Sequence, residues 1–480
     1  MCIRDRSIII PANTLATGGF DVDNSCRFND ASPDILKNGT ESDGNRKVWT
    51  ISMWIKRSKL GVRQSLWSWG SNSSSTGELY IDANDFLVLN NDGHQGSSNE
   101  VAGVLRDTSA WYHIVWRCDV TESNNIDRWR CYINGVQRLL TDAASVSNAD
   151  GEINKNGTHQ NWIGGAARSL QSGNAVYPFG GYIAEAVFID GQALAPTSFG
   201  EFDEDSGIWK PIDVSGLTFG DEGVYLNFQN ASELGTDVSG NGNTYAETGL
   251  TAVNQSIDTC TNNYCVMNPL DNFFSNATFS EGNLQYSSSR YASPTSTFGL
   301  TKGKWYFEIK CVSAAGTGGF VGITSATATA TNFEFGNTGG GRAGYVYANN
   351  GGVYGNGGTL AGAGVFAEFG DDDNDLLMMA ADLDNNKIYF GKNGTWGNSQ
   401  NPVNGNNALT IVAISTQDSG VWRFGAMGET NNATIWQWNF GSPVHSIDST
   451  QADDDGHGNF EYDVPAGYFA LNSKNLAEYG

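Results

Sequence analysis

Positive charge is scarce in this chain. Its 27 Lys and Arg stand against 52 Asp and Glu, a formal charge of −25 over 480 residues. Such a balance opposes attraction to phosphate backbones and anionic bilayers, so no nucleic-acid partner is expected. Long apolar runs are also missing. A membrane helix needs roughly 20 apolar residues, whereas Ser7–Pro11 (SIIIP) is far shorter, so no membrane span is expected. The seven cysteines are odd in number and widely spread, which excludes a disulfide-scaffold pattern. Cys260 and Cys265 (TCTNNYC) have no second Cys or His pair nearby, which tells against a zinc site. The five histidines, His94, His113, His159, His445 and His457, are scattered without ligand spacing. The nucleophile elbow G-x-S-x-G is absent, so no Ser-His-Asp triad can be assembled from the sequence. Helical spacing of apolar residues nowhere extends beyond about two turns.

What the chain does have is 60 Gly, 12% aromatic and only 16% charged residues, a composition suited to many short strands joined by tight turns. Two stretches organise the reading. WYHIVWRCDVTESNNIDRWRCYINGVQ (111–137) and DLLMMAADLDNNKIYFGKNGTW (375–396) each end in a strand that runs into Asn-Gly. Asn-Gly supplies the positive φ of a two-residue hairpin, so Asn134-Gly135 and Asn393-Gly394 predict paired antiparallel strands. In VWTISMWIKR, Trp49, Ile51, Met53 and Ile55 alternate with Thr50, Ser52, Trp54 and Lys56, the pattern of a strand with one core face. In GKWYFEIKCV, Trp305, Phe307, Ile309 and Cys311 alternate in the same way. Cys118 and Cys131 both fall on the apolar face of the first hairpin, as two buried thiols or as a disulfide across it. The expected class is therefore all-β, built as two modules in tandem.

The first module spans residues 20–228. Its strands WTISMWIK and WYHIVW, its YINGV hairpin and its FGGYIAEAVFIDGQALAPTSFGEF segment resemble the laminin-G-like or pentraxin-like group of concanavalin A-like lectins. That resemblance implies an antiparallel jelly-roll sandwich. The second module spans 270–480. KWYFE, FVGI and the DLDNNKIYFGKNG hairpin, in that order, resemble a SPRY domain, which implies a second antiparallel sandwich with partner-binding loops at one end. Residues 229–269, where alternation fades and turn formers gather, read as a connector. Residues 1–19 read as a lead segment whose start, Met1 to Arg6, resembles a translated sequencing adapter rather than a signal peptide.

Candidate chemistry is sparse. Glycan hydrolases of the lectin sandwich need a strand with alternating carboxylates facing one cleft. The nearest string, EFDEDSG (201–207), has the wrong order and sits among turn residues. At Glu185, where the lectin-like group often has an acidic pair, Ala184 replaces the other member, which tells against both catalysis and a calcium site. Asp237, Asn241 and Asn243 (DVSGNGN) offer oxygens that could wrap a cation, and equally read as turn residues. Acidic runs at Asp371–Asp375, Asp382 with Asp384, and Asp453–Asp455 read as surface loops. No cofactor is required, and calcium is the ion such oxygens would take. In the glycine-rich GYVYANNGGVYGNGG stretch, Tyr345, Tyr347 and Tyr354 stand out as candidate ligand-binding rings, with Trp396 after the second hairpin. Trp67, Trp69 and Trp162 are expected in the core.

Together with FIDGQAL, GEFDEDSGIWKP and NYCVMNPL, the pair of modules resembles uncharacterised structural proteins of marine phages. The resemblance implies a non-catalytic recognition protein, a virion or tail-associated adhesin that engages a host surface glycan or protein. It would be located on the virion or outside the cell. The alternatives are a passive decoration or fibre segment that meets only other virion subunits, and a glycan-degrading enzyme.

Overall fold

A computed structural model describes residues 19–31, 34–39, 44–72, 75–91, 98–149, 153, 160–166, 177–271, 277–288, 294–314, 319–325, 344–356, 358–370, 374–428 and 434–480. Met1 to Arg6, His94, His159 and Asp371–Asp373 lie outside the described residues. The chain forms two compact bodies that part between Asn263 and Tyr264. Both are built of antiparallel sheets.

In the first body one sheet runs, edge to edge, through Val136–Arg138, Trp129–Ile133, Trp111–Asp119, Val48–Arg57, Gly181–Asp190, Ser25–Phe28 and Gln255–Ser256. The other runs through Ala246–Thr248, Ile35–Gly39, Gln160–Ile163, Gln64–Asn72, Ser75–Ile81, Phe86–Asn91 and Ser98–Val104. Trp49, Ile51, Met53 and Ile55 of the first sheet meet Trp67, Trp69, Leu79 and Ile81 of the second in one core, as the alternation requires. Burial of each such side chain contributes about 1.5–3 kcal/mol relative to exposure. The Asn134-Gly135 turn has φ of 49° and 74° and joins Ile133 to Val136, the hairpin that Asn-Gly predicts.

The opposite face of the first sheet is not open to solvent. Trp54, Trp111, Tyr182 and Ala184 pack with Val22, Trp209 and Cys260, while Val115, Val187 and Ile189 pack with Phe199, Val214, Phe219 and Tyr225. Segments that follow the last long strand therefore form a third layer, which is why Gly181–Asp190 is buried along its whole length.

Residues 229–269 do not act as a connector. Leu234, Tyr245 and Leu250 enter the first core, Ala246–Thr248 pairs with Ile35–Gly39, and Gln255–Ser256 pairs with Ser25–Phe28. Asp258 then locks the segment down through a buried ion pair with Lys56 at 2.6 Å, joined by Trp111 Nε1 at 3.1 Å. These strands are two or three residues long, too short to show a period-two signal. Past the boundary, Cys265, Val266 and Met267 belong to the core of the second body.

The second body pairs a sheet of Ala277–Ser280, Gln285–Ser288, Thr434–Asn439, Lys304–Ala314, Asp375–Asp382, Lys387–Lys392 and Thr395–Trp396 with one of Gly358–Ala361, Val353–Gly355, Gly344–Ala348, Gly319–Thr324 and Arg423–Gly428. Trp305, Phe307, Ile309 and Cys311 point into the core between them. Asn393 and Gly394, with φ of 48° and 79°, close the Lys392–Thr395 hairpin. On the outer face Glu308, fully buried, accepts hydrogen bonds from Tyr306 Oη, Asn439 Nδ2 and the backbone N–H groups of Glu461 and Tyr462. It braces the 459–462 loop against the sheet.

Cys118 and Cys131 are buried free thiols. Cys26, Cys260, Cys265 and Cys311 are likewise buried and form no disulfide.

Candidate functional site

The site forms where one strand changes partners. Along one edge Gly181–Asp190 pairs with Ser25–Phe28 as far as Ile183, and resumes pairing, now with Val224–Leu226, only at Ala186. Along the other edge the register with Val48–Arg57 slips between Ala184 and Val187. An extra residue is thus accommodated at Glu185, whose φ of 49° lies in the left-handed region. A bulge of this kind re-aims a side chain, and a non-glycine residue held there carries strain of about 1–3 kcal/mol.

The gap between the two partner strands opens a cavity of about 390 Å³ over Glu185. Its walls are the chain entering the first strand (Phe20 to Asn24), the 213–215 turn, and the chain leaving the Val224–Leu226 strand (Asn227, Gln229), with Val238 at the rim. Glu185 is 7% exposed, and Tyr225 Oη donates to its Oε2 at 2.6 Å. The Tyr225 ring is held by stacking on Phe219 at 5.9 Å. Burial pushes the Glu185 carboxyl up to about 7 against the pull of the Tyr225 donor, with Asp213 and Asp23 adding to the rise. Asp213 is held below the ordinary carboxylate range by the Ser215 hydroxyl and backbone N–H.

Beneath this cavity lies a Ser–His contact, Ser52 Oγ to His113 Nε2 at 2.9 Å. Trp209 Nε1 donates to His113 Nδ1 at 2.9 Å, so a neutral ring must carry its proton on Nε2, which then donates to Ser52. The imidazole cannot accept the serine proton in this arrangement. Burial pushes the His113 pKa down to about 3, and the ring is stacked on Trp54 at 4.6 Å. His113 is a core residue between two tryptophans.

The residues singled out from the sequence are placed differently. Tyr345 and Tyr347 are 2% and 1% exposed and belong to the core of the second body. Tyr345 Oη accepts from the Val412 N–H at 2.9 Å, and Tyr347 Oη donates to the Ala367 carbonyl. The glycines flanking them provide the room: a Cβ at Gly355 would stand 2.2 Å from the Tyr345 ring. Tyr354 is half-buried in that same sheet, whereas Trp396 is half-buried in the other sheet, edge-on to Tyr306 and Tyr389. The four rings form no common surface.

Asp237, Asn241 and Asn243 act as turn residues. Both Asp237 oxygens accept from protein donors, Oδ1 from the Tyr225 and Ser239 N–H groups and Oδ2 from Ser239 Oγ and the Asn243 N–H. The two Asn amides donate to the carbonyls of Gly220, Asp221 and Gly223. Among the described residues no group of three or more His, Cys, Asp or Glu is placed to hold a metal ion. EFDEDSG forms a hairpin loop in which Lys210 pairs with Asp203 at 3.1 Å and Glu201 at 3.4 Å. Trp67, Trp69 and Trp162 are buried, as expected.

The cavity itself went unread, although GYIAEAVFID carries its trace. A carboxylate in the middle of a run of ten buried residues, as Glu185 is, has to be paired, protonated or presented to a ligand.

Residues 34–197 match the family model described as the concanavalin A-like lectin/glucanases superfamily. Solved structures similar to this chain include the SPRY domain of human HERC1, at 15% identity and TM-score 0.27 over 36% of this chain and 96% of that one. A putative carbohydrate binding protein from Bacteroides ovatus matches at 15% identity and TM-score 0.35, over 48% of this chain and 60% of that one. The CBM40 of the Ruminococcus gnavus IT-sialidase, bound to α2,3-sialyllactose, matches at 18% identity and TM-score 0.21, over 31% and 87%. No curated protein matches this chain.

Proposed function

We propose that this protein is a non-catalytic recognition protein whose first body binds a glycan at the Glu185 cavity. The observation that carries this reading is the cavity. Its volume of about 390 Å³ falls within the roughly 300–1,000 Å³ of small-molecule sites, and a strained bulge delivers a buried carboxyl to its floor. Carboxylates and amides accept and donate in the pattern that sugar hydroxyls need. The lectin-type family match over residues 34–197 supports the class of ligand. In its finer form the proposal is the adhesin expected from the sequence, carried on a phage virion or tail and engaging a host surface. A glycan array probed with the full chain and with Glu185→Gln tests it. Binding lost in the variant is the expected result, and an array with no signal for either protein refutes the reading.

One observation favours a second reading. Glu185, held up to about 7, and Asp213, held low, line the same cavity, the split in acidity that glycoside hydrolysis uses. Reducing-end release from a polysaccharide panel, abolished by Glu185→Gln, would establish hydrolysis in place of simple binding.

A further inference from the structure

The charge of the cavity lining narrows its ligand further than the fold does. Asp23, Asp213 and Glu185 all line the space, and among the described residues no Lys, Arg or His lines it. A buried carboxylate is ordinarily neutralised by a cation of the protein, as Asp258 is by Lys56 elsewhere in this body. Among the described residues Glu185 has no such partner. Its Oε2 is held by Tyr225 Oη, the one hydrogen bond to its carboxyl among the described residues, and the side chain lines the cavity in a residue only 7% exposed. The charges of Asp23 and Asp213 reach Glu185 strongly enough to oppose its ionisation. Of the groups facing it, Tyr225 and the buried Cys260 thiol are neutral, so among the described residues no cation offsets the charge of Asp23, Asp213 and Glu185.

Such a field repels sialic and uronic acids, gives a neutral sugar no electrostatic advantage, and favours a cation. We propose that the cavity takes a protonated amine borne on a sugar, an amino sugar with an unacylated nitrogen, with the ammonium donating to Glu185 Oε1. This rests on the glycan-binding reading above and specifies its ligand. The ammonium supplies three donors and a positive charge, and the carboxylates around it are acceptors. Because the free Glu185 carboxyl sits near 7, binding also drives its proton off into the solvent at neutral pH.

Isothermal titration of the full chain at pH 7 and low salt, with chitosan tetraose, its fully N-acetylated counterpart, cellotetraose and sialyllactose, tests the assignment. The amine-bearing tetramer should bind about tenfold tighter than the N-acetylated one, the scale of a charged hydrogen bond. Its affinity should fall with added salt, and its heat should change with buffer ionisation enthalpy as a proton is released. Glu185→Gln and Asp213→Asn should each weaken it by about tenfold, with folding checked by thermal melting. Equal or tighter binding of the N-acetylated or neutral tetramer with the Glu185 dependence intact overturns the amine assignment and leaves glycan recognition standing. Binding of calcium alone at the site, or of a lysine tetrapeptide in preference to every sugar, also overturns it. If no sugar binds, both the assignment and the recognition reading fall.

Discussion

Glu185→Gln should make the first body more stable, by an amount that grows from about pH 4.5 and is complete above about 7. The folded protein holds the Glu185 proton until about pH 7, whereas an unfolded chain gives it up near 4.5. Between those values the folded state binds more protons than the unfolded one, so its stability falls as pH rises, and the loss is complete above about 7. A rise from 4.5 to about 7 corresponds to about 3 kcal/mol at 1.36 kcal/mol per pH unit. With 7% exposure, solvent screens little of it. Glutamine keeps the length and the acceptor for Tyr225 Oη and removes the charge. Calorimetry at pH 8 should therefore show the first body melting higher in the variant by about 6–12 °C, the range for about 3 kcal/mol in a body of this size, while the two proteins melt together at pH 4.5. Tyr225→Phe at the same site should act oppositely. It removes the one donor to Oε2 and should cost about 1.5–3 kcal/mol at pH 8. A Glu185→Gln shift that is the same at both pH values, or negative at pH 8, would refute the account of a buried, uncompensated carboxyl. The expected trade is the usual one between a binding site and stability.

Asp258→Ala leaves Lys56 buried at 1% exposure without its counter-charge. The variant should lose about 3–5 kcal/mol, read as a lower denaturation midpoint of the first body with no change in the second. His113 resists protonation down to about 3 while the unfolded ring takes a proton near 6.5. It therefore contributes a loss of stability as pH falls through that window, and His113→Phe should flatten the acid limb of urea midpoints between pH 6.5 and 4. Gly77→Ala would bring a Cβ to 2.1 Å from the fully buried Trp69 ring, so overpacking of about 1–3 kcal/mol is expected from urea unfolding.

The sequence announced the sheets well because their signals are local. Trp49, Ile51, Met53 and Ile55 alternate within one ten-residue strand, and Asn134-Gly135 and Asn393-Gly394 fix two hairpins through backbone conformation alone. What it concealed depends on contacts remote in the chain. Ala246–Thr248 and Gln255–Ser256 are strands only because Ile35–Gly39 and Ser25–Phe28 lie beside them. Tyr345 and Tyr347, set among glycines, looked exposed because the glycines leave space that the rings themselves fill. The Glu185 cavity arises from a change of strand partner and a register slip, and neither event marks the sequence beyond one carboxylate in an apolar run.

The free thiols have a practical consequence. All six described cysteines are buried and form no disulfide, and burial pushes the thiols of Cys26, Cys118, Cys131 and Cys260 up, away from the reactive thiolate. No disulfide holds the described parts together. Denatured chain should regain its form fully under reductant and less well in air, where the hazard is oxidation of sulfur atoms that the native state keeps out of reach.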